Sequence, residues 1–386
     1  MKHLSDRALK GLKQYQYKSG GYTLLDNFHT PIWNGIVELL PLWLAPNLIT
    51  LIGVSALVVA YVVTLFYLPG LAGNGPWWLY YFNGFSVFWY LHLDCLDGKQ
   101  ARRTKSSSPL GQLFDHGVDA LSVHLILTVI AATLSIGISW KAVVGSLGIM
   151  IPWQLAHWEE YHTGMLFYGN KYWGITEANY LLVLLHIMTG ILGPGIWRTD
   201  VAAMLNLKLP FTLHVNDCLL VFIAFFAISY SSAAFYRVLN VDQVVLPPQE
   251  RGHKALGRGN AIGHLISLQT VNTIGGVMLF LCLKTPTAAP AVNAIFGIIY
   301  AQQSTKLIID HMSKEPFSVL LWPVLAMAVV SANALLNVVQ FELSCWVVAV
   351  IVVGGYITYI VQNINEICCY LGINCLTLRH LDNAAK

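Results

Sequence analysis

Four aspartates cluster in a chain otherwise sparing with acids: Asp94, Asp97, Asp115 and Asp119. Asp94 and Asp97 are three residues apart and share one helical face, and Asp115 and Asp119, four apart, share another. A short basic, polar connection separates the pairs, so two antiparallel helices can set them opposite each other. An acid in the hydrocarbon region costs about 2.5–3.5 kcal/mol on insertion scales, and four converging carboxylates repel unless a cation lies between them. Hard oxygen donors favour Mg2+, Mn2+ or Ca2+ over zinc. Four carboxylates suffice for two such ions, with one or more of them bridging. A pair of dications suits a pyrophosphate, because it clamps the phosphate oxygens and stabilises charge during phosphoryl transfer. Arg102 lies just over one turn beyond Asp97, where its fork of donors could hold another phosphate oxygen. Gly98 and Gly111 remove side chains where a ligand or a helix must come close. A plain salt-bridge cluster of Asp94, Asp97, Arg102 and Arg103 would account for neither the glycines nor the second acidic pair.

The elements that must carry these residues follow from composition. The chain has 386 residues, of which 56% are apolar and 11% charged, with a mean hydropathy of +0.60. Soluble domains carry about 25% charged residues, so a soluble enzyme, a disordered protein and a secreted disulfide scaffold are excluded. The expected fold class is all-α, a polytopic helical membrane protein. A spanning helix needs ~20 apolar residues, and ten such stretches are expected: 47–69, 76–97, 111–136, 140–162, 175–197, 216–239, 259–283, 288–310, 317–339 and 343–366. Ahead of them, residues 5–18 are amphipathic, and residues 32–45 are apolar but too short and broken to span. Both are expected to lie on the membrane surface. The division expected is 1–45 as the N-terminus with interfacial helices, 46–200 as the catalytic helices and 201–386 as C-terminal transmembrane helices.

With ten spans, eighteen of the 22 Lys and Arg fall on the side of the N-terminus and four on the other. The positive-inside rule then puts both termini and the acidic cluster in the cytosol. Residues 1–30 lack the apolar core of a signal peptide, so the first span is expected to direct insertion, and the C-terminal end shows neither a KDEL-type signal nor a prenylation box. A net charge of +3 gives no reason to expect nucleic acid. The seven cysteines are scattered through apolar runs without zinc-ligand spacing and are expected to be reduced packing residues.

The pattern Asp94-x2-Asp97-Gly98-x2-Ala101-Arg102-x8-Gly111-x3-Asp115-x3-Asp119 resembles the signature of the CDP-alcohol phosphotransferases at every defined position. The run Pro46-Asn47-Leu48-Ile49-Thr50 is similar to a segment opening the first span in that family; on its own it is also an ordinary helix start. The run from Asp97 to Thr104 (DGKQARRT), the run Phe114-Asp115-His116-Gly117 and the chain length resemble the eukaryotic choline/ethanolamine phosphotransferase branch. The resemblance implies transfer of phosphoethanolamine or phosphocholine from CDP-ethanolamine or CDP-choline to diacylglycerol, with release of CMP. It also implies an endoplasmic reticulum or Golgi membrane, membrane lipid as surroundings, and room for a homodimer.

By the same resemblance, Asp94, Asp97, Asp115 and Asp119 hold two Mg2+ ions, with Mn2+ as the alternative metal. Asn47 and Arg102 hold the CDP moiety, and Gly98, Ala101 and Gly111 line it. His116 takes the proton of the diacylglycerol hydroxyl. Elementary chemistry supports that last role, since a hydroxyl is a poor nucleophile until deprotonated and His is the usual base near neutral pH. One position departs from the pattern: many members of that branch carry Glu four residues before the histidine, where this chain has Gln112. Either a less basic His116 or compensation by another acid is expected.

Glu159 and Glu160 end the fourth span and Glu177 opens the fifth, all on the cytosolic side, either to position the substrate amine or simply to reach water. Asp310, His311 and Glu366 are expected to be solvated helix ends. His92 and His124 are not expected to bind a hard cation. The 12 Trp and 18 Tyr suit interfacial anchoring. Two other functions fit some of these features. One is a phosphatidyltransferase using CDP-diacylglycerol as donor. The other is a cation-coupled transporter, for which acids spread through the mid-membrane would be expected instead of one boundary cluster.

Overall fold

Two short helices precede the bundle. In the computed structural model, which describes residues 3–17, 22–167, 169–208, 210–240 and 257–378, α1 (Asp6–Gln14) starts where the Ser5 hydroxyl accepts the backbone N–H of Ala8. The next helix, α2 (Leu24–Leu39), starts on a capping box of Thr23 and Asp26. Among the described residues ten helices of 16 residues or more follow: α3 (Pro46–Tyr67), α4 (Trp77–Arg103), α5 (Pro109–Thr133), α6 (Trp140–Thr163), α7 (Ile175–Leu192), α8 (Val215–Leu239), α9 (Gly257–Leu281), α10 (Ala289–Ser313), α11 (Leu321–Leu336) and α12 (Phe341–Leu371). Among the described residues the only extended pairing is a single bridge between Asp200 and His214.

Each of the ten falls where a span was expected, with shifted ends. Six of them, α3, α5, α7, α8, α9 and α12, are long and apolar enough to cross a membrane. The chain is an all-α polytopic membrane protein. The other four fall short for physical reasons. α11 has 16 residues, about 24 Å of helix against a hydrocarbon core of about 30 Å. α4 and α6 carry charged and histidine side chains at one end. α10 carries Gln302, Gln303, Lys306 and Asp310, but 20 of its 25 residues are buried, so those groups meet protein and not lipid.

α10 is the central pillar. Val292, Ile295, Phe296 and Ile299 pack against Val271 and Met278 of α9, Val330 of α11 and Val352 of α12. Its approach to α5 is close enough that a Cβ on Gly297 would lie 2.0 Å from the His124 ring, and small residues at such crossings let membrane helices meet. On the other flank, α3 packs against α4 and α5, and α4 against α7.

The N-terminal helices add two features that the sequence did not give: the packing of α1 and the bounds of α2. Leu9 and Leu12 of α1 bury against Leu110 and Leu113 of α5, Ile308 and Met312 of α10, and Ile367 of α12. A Cβ on Gly11 would lie 2.0 Å from the backbone oxygen of Ser313, so the apolar face of α1 is packed tightly on the bundle. α2 begins eight residues earlier than expected, at the capping box, and ends before residues 40–45. Trp33 and Val37 pack on Ile49 and Leu96, while Phe28, Ile32 and Leu39 stay exposed, as an interfacial helix requires. Of the basic residues used to orient the chain, Lys2, Lys18, Arg251, Lys254, Arg379 and Lys386 lie outside the described residues.

Candidate active site

Three helix ends meet at the acidic cluster. α4 does not stop at Asp97 but continues to Arg103, so Asp94, Asp97, Gly98, Ala101 and Arg102 share one rigid element. The added turns are held by the chain after α2. Gln100 Nε2 donates to the carbonyls of Pro41 at 2.9 Å and Leu44 at 3.1 Å, and Arg103 Nη1 donates to that of Leu40 at 2.7 Å. α5 begins at Ser108, whose hydroxyl accepts the Gly111 N–H at 3.1 Å, with Pro109 at the first helical position. α3 likewise opens on Pro46. The N-termini of α3 and α5 therefore both face this region, and such ends favour anions.

Asp94, Asp97 and Asp115 each offer a carboxylate oxygen, and the three oxygens lie within 4.8 Å of one another. Asp97 accepts the Thr50 hydroxyl, and Asp119 accepts the Tyr90 hydroxyl. Oδ1 of Asp94 and Oδ1 of Asp115 are buried with no hydrogen-bond partner among the described residues. Buried, mutually repelling carboxylate oxygens without donors match the ligand set of a hard dication. Asp119 stands beside this group of three, tied to Tyr90. The residues present thus fit the divalent metal that the spacing pointed to.

A cavity of about 480 Å³ opens against this cluster. Asp97 and Asp115 reach into it, with Gly98, Ala101 and Arg102 along α4, Gly111 and His116 along α5, and Asn47 at the start of α3. Eight of the ten residues singled out from the sequence thus line one space, and Asp94 and Asp119 adjoin it. The glycines are informative. A Cβ on Gly98 would meet nothing closer than 3.7 Å, and one on Gly111 nothing closer than 3.6 Å. Protein packing therefore does not demand glycine at either place, whereas a ligand filling the cavity would.

His116 is buried at the cavity wall, with its ring centroid 5.7 Å from that of Tyr17 and 5.5 Å from that of His157. Behind it lies Glu160. Its carboxylate accepts the Tyr15 hydroxyl at 3.1 Å and contacts His157 Nδ1 at 3.3 Å and His311 Nε2 at 3.6 Å. Burial first, and then Glu160, push the Tyr15 hydroxyl well above the usual phenol range, so it remains a donor.

The family model described as CDP-alcohol phosphatidyltransferase matches residues 43–299, which include every one of these site positions on α3, α4 and α5. The chain belongs to the CDP-alcohol phosphatidyltransferase family. Cholinephosphotransferase 1 of Xenopus laevis is 32% identical over 319 residues, covering 82% of this chain and 75% of that protein. Cholinephosphotransferase 1 of Homo sapiens is 30% identical, covering 81% and 74%. A Dictyostelium discoideum protein named "Uncharacterized CDP-alcohol phosphatidyltransferase class-I family protein 2" is 45% identical over 197 residues; this match spans 51% of the chain and about half of that relative, 48%.

In this family member, several acids differ from the expectation of solvated ends. Glu159 and Glu160 are buried. Glu159 is paired with Arg237, whose Nη2 donates to it at 2.9 Å. Asp310 is buried and paired with Lys306, and His311 is buried beside Glu160. Glu366 accepts the backbone N–H groups of His3 and Leu4 at 2.6 and 2.8 Å and so fastens the N-terminal segment. Glu177 caps α7 by accepting the Gly174 N–H at 2.9 Å. For Glu159, Glu160, His311 and Glu366 tertiary packing brings partners from distant segments, which spacing does not encode, whereas Asp310 and Glu177 find theirs within four residues along the chain. His92 accepts the Trp33 indole N–H at 3.2 Å, and His124 packs against Gly297. All seven cysteines are free.

Sequence reasoning missed contributions from both ends of the chain. Tyr17 and the segment 373–378 line the cavity, and Asn47 Nδ2 donates to the Cys375 carbonyl at 2.9 Å. Nothing in their local pattern signals this. Tyr90 was detectable, because residues 90, 94 and 97 share a helical face.

Proposed function

We propose that the protein transfers the phosphoalcohol group of CDP-choline or CDP-ethanolamine to the free hydroxyl of diacylglycerol, forming phosphatidylcholine or phosphatidylethanolamine. The observation that carries this reading is the group of Asp94, Asp97 and Asp115 oxygens within 4.8 Å of one another, set against a cavity that also holds Arg102, Asn47 and His116. Membership of the family supports it.

Two Mg2+ ions, or Mn2+ in their place, held by Asp94, Asp97, Asp115 and Asp119 would neutralise the pyrophosphate and the charge that builds on the leaving phosphate. Arg102 pairs with a phosphate oxygen, and the N-termini of α3 and α5 add their partial positive charge. Asn47 contacts the nucleotide, exchanging its bond to the Cys375 carbonyl. Gly98, Ala101 and Gly111 leave room for the CDP moiety. His116 takes the proton of the diacylglycerol hydroxyl, and that oxygen bonds to the phosphorus bearing the choline or ethanolamine. The bond from this phosphorus to the bridging oxygen breaks, and CMP departs with the electron pair. Tyr17 and the segment 373–378 wall the site from water, which would otherwise compete as acceptor.

Likeness to the choline/ethanolamine phosphotransferases supports an endoplasmic reticulum or Golgi membrane, and the Lys and Arg asymmetry supports a site toward the cytosol. Its helices within 46–200 carry the reacting groups. The 201–386 part contributes the pillar α10 and the 373–378 wall of the cavity.

The test is an assay of purified protein in lipid nanodiscs with diacylglycerol, Mg2+ and each CDP-alcohol in turn, with the lipid product identified by mass spectrometry. Phosphatidylcholine or phosphatidylethanolamine should form with CMP, and His116→Ala should lose at least about a hundredfold in kcat. No product from either donor would overturn the reading, and product only from CDP-diacylglycerol and a polar alcohol would replace it.

A further inference from the structure

Glu160 is a buried carboxylate on α6, 3% exposed, and none of its partners among the described residues is a lysine or arginine. Burying a carboxylate without a cation is costly unless other groups answer its charge. The residue before it shows the ordinary solution, because Glu159 is fully buried and forks onto Arg237. Glu160 points elsewhere. His116, His157 and Glu160 each offer one atom to a group in which all lie within 4.8 Å of one another.

A carboxylate only accepts hydrogen bonds, so its contact with His157 Nδ1 places the proton of that ring on Nδ1. The ring is thereby fixed in tautomer and orientation, and it stands 5.5 Å from the ring of His116, centroid to centroid. A second arm reaches Glu160 from α5 and the N-terminal segment. Gln112 Nε2 donates to the Tyr15 oxygen at 3.4 Å, and the Tyr15 hydroxyl donates to Glu160 at 3.1 Å. Gln112 lies four residues before His116, one turn away on the same helix. The uncharged side chain beside the base is thus wired to a carboxylate supplied by another helix.

We propose that Glu160 is a positioning residue for His116, acting through His157 and placing a negative charge against the ring that receives the acceptor's proton. The inference deepens the transferase reading and rests on it. The N-terminal segment belongs to the device, since Tyr15 holds the far oxygen edge of the carboxylate.

The test uses the full-length protein in nanodiscs with diacylglycerol, Mg2+ and whichever CDP-alcohol the wild type accepts. Glu160→Gln preserves shape and one hydrogen bond but removes the charge. Its kcat should fall about 10–100-fold, while KM for both substrates stays within about twofold. Adding Gln112→Glu, which returns a carboxylate one turn from His116, should recover most of the lost kcat. Tyr15→Phe, which removes only a donor, should lower kcat a few-fold with KM unchanged, and it decides the matter if Glu160→Gln does not fold. Wild-type kcat in both single variants overturns the inference, as does a loss of kcat that tracks a lowered melting temperature and is not rescued by Gln112→Glu. Absence of turnover in the wild type itself would instead strike down the transferase reading.

Discussion

Asp94 and Asp115 each keep one buried oxygen without a donor, whereas Asp97 and Asp119 are held by Thr50 and Tyr90. The cluster is thus strained by mutual repulsion in the absence of a cation, and activity and stability should move in opposite directions when one charge is removed. Asp115→Asn should lower kcat by at least about a hundredfold, the scale of several kcal/mol of lost charge stabilisation. The same change should stabilise the protein in EDTA by about 1–2 kcal/mol, read as a raised melting temperature. A lower melting temperature in EDTA would count against the repulsion argument. At this scale the sequence was informative where chemistry follows from spacing: the two aspartate pairs and the histidine beside them need only helical periodicity to converge. Glu160 was not legible in the same way. Its burial depends on Tyr15, His157 and His311, from three different elements, and an isolated Glu-Glu doublet at a helix end looks the same whether it meets water or a histidine.

Among the elements, α4 and α5 show how local rules and tertiary contacts divide the work. Ser108 and Pro109 mark the start of α5 in the sequence itself. The extension of α4 to Arg103 is set instead by carbonyls of residues 40–44, which Gln100 and Arg103 satisfy. Two glycines of similar appearance should therefore respond differently to alanine. Gly111→Ala brings its methyl only to ordinary contact, 3.6 Å from Asn47 and Ser108, on a backbone compatible with alanine, so it should stabilise the fold by roughly 0.5–1 kcal/mol while raising KM for the CDP-alcohol. Unchanged KM would show that the nucleotide does not use that space. Gly297→Ala drives a methyl into the His124 ring, 2.0 Å away, and should destabilise by roughly 1–3 kcal/mol, measured by thermal unfolding in detergent. Removal of residues 373–386 takes away the cavity wall bonded to Asn47 and should raise KM for the CDP-alcohol more than it lowers kcat.

On the scale of the whole molecule, hydropathy located ten helices because lipid-facing surface must be apolar, and it failed only at their ends and on faces that protein covers. α10 carries Gln302, Gln303, Lys306 and Asp310, and it stands in the middle of the bundle because other helices surround it. The chain ends were the least legible part: α1 reads as a surface helix, but its apolar face closes onto α5, α10 and α12 and delivers Tyr15 and Tyr17 to the site. The cavity therefore lies between a bundle that carries the acids and residues from two terminal segments that line it. The most direct measurement is CMP release by the purified protein in nanodiscs, with diacylglycerol and its preferred CDP-alcohol, as divalent metal is withdrawn with EDTA and then returned as Mg2+. Turnover should fall to background and recover with Mg2+, with Asp115→Asn flat throughout. Turnover that survives chelation, or that Asp115→Asn retains in full, would contradict a dication held by these aspartates as the centre of the reaction.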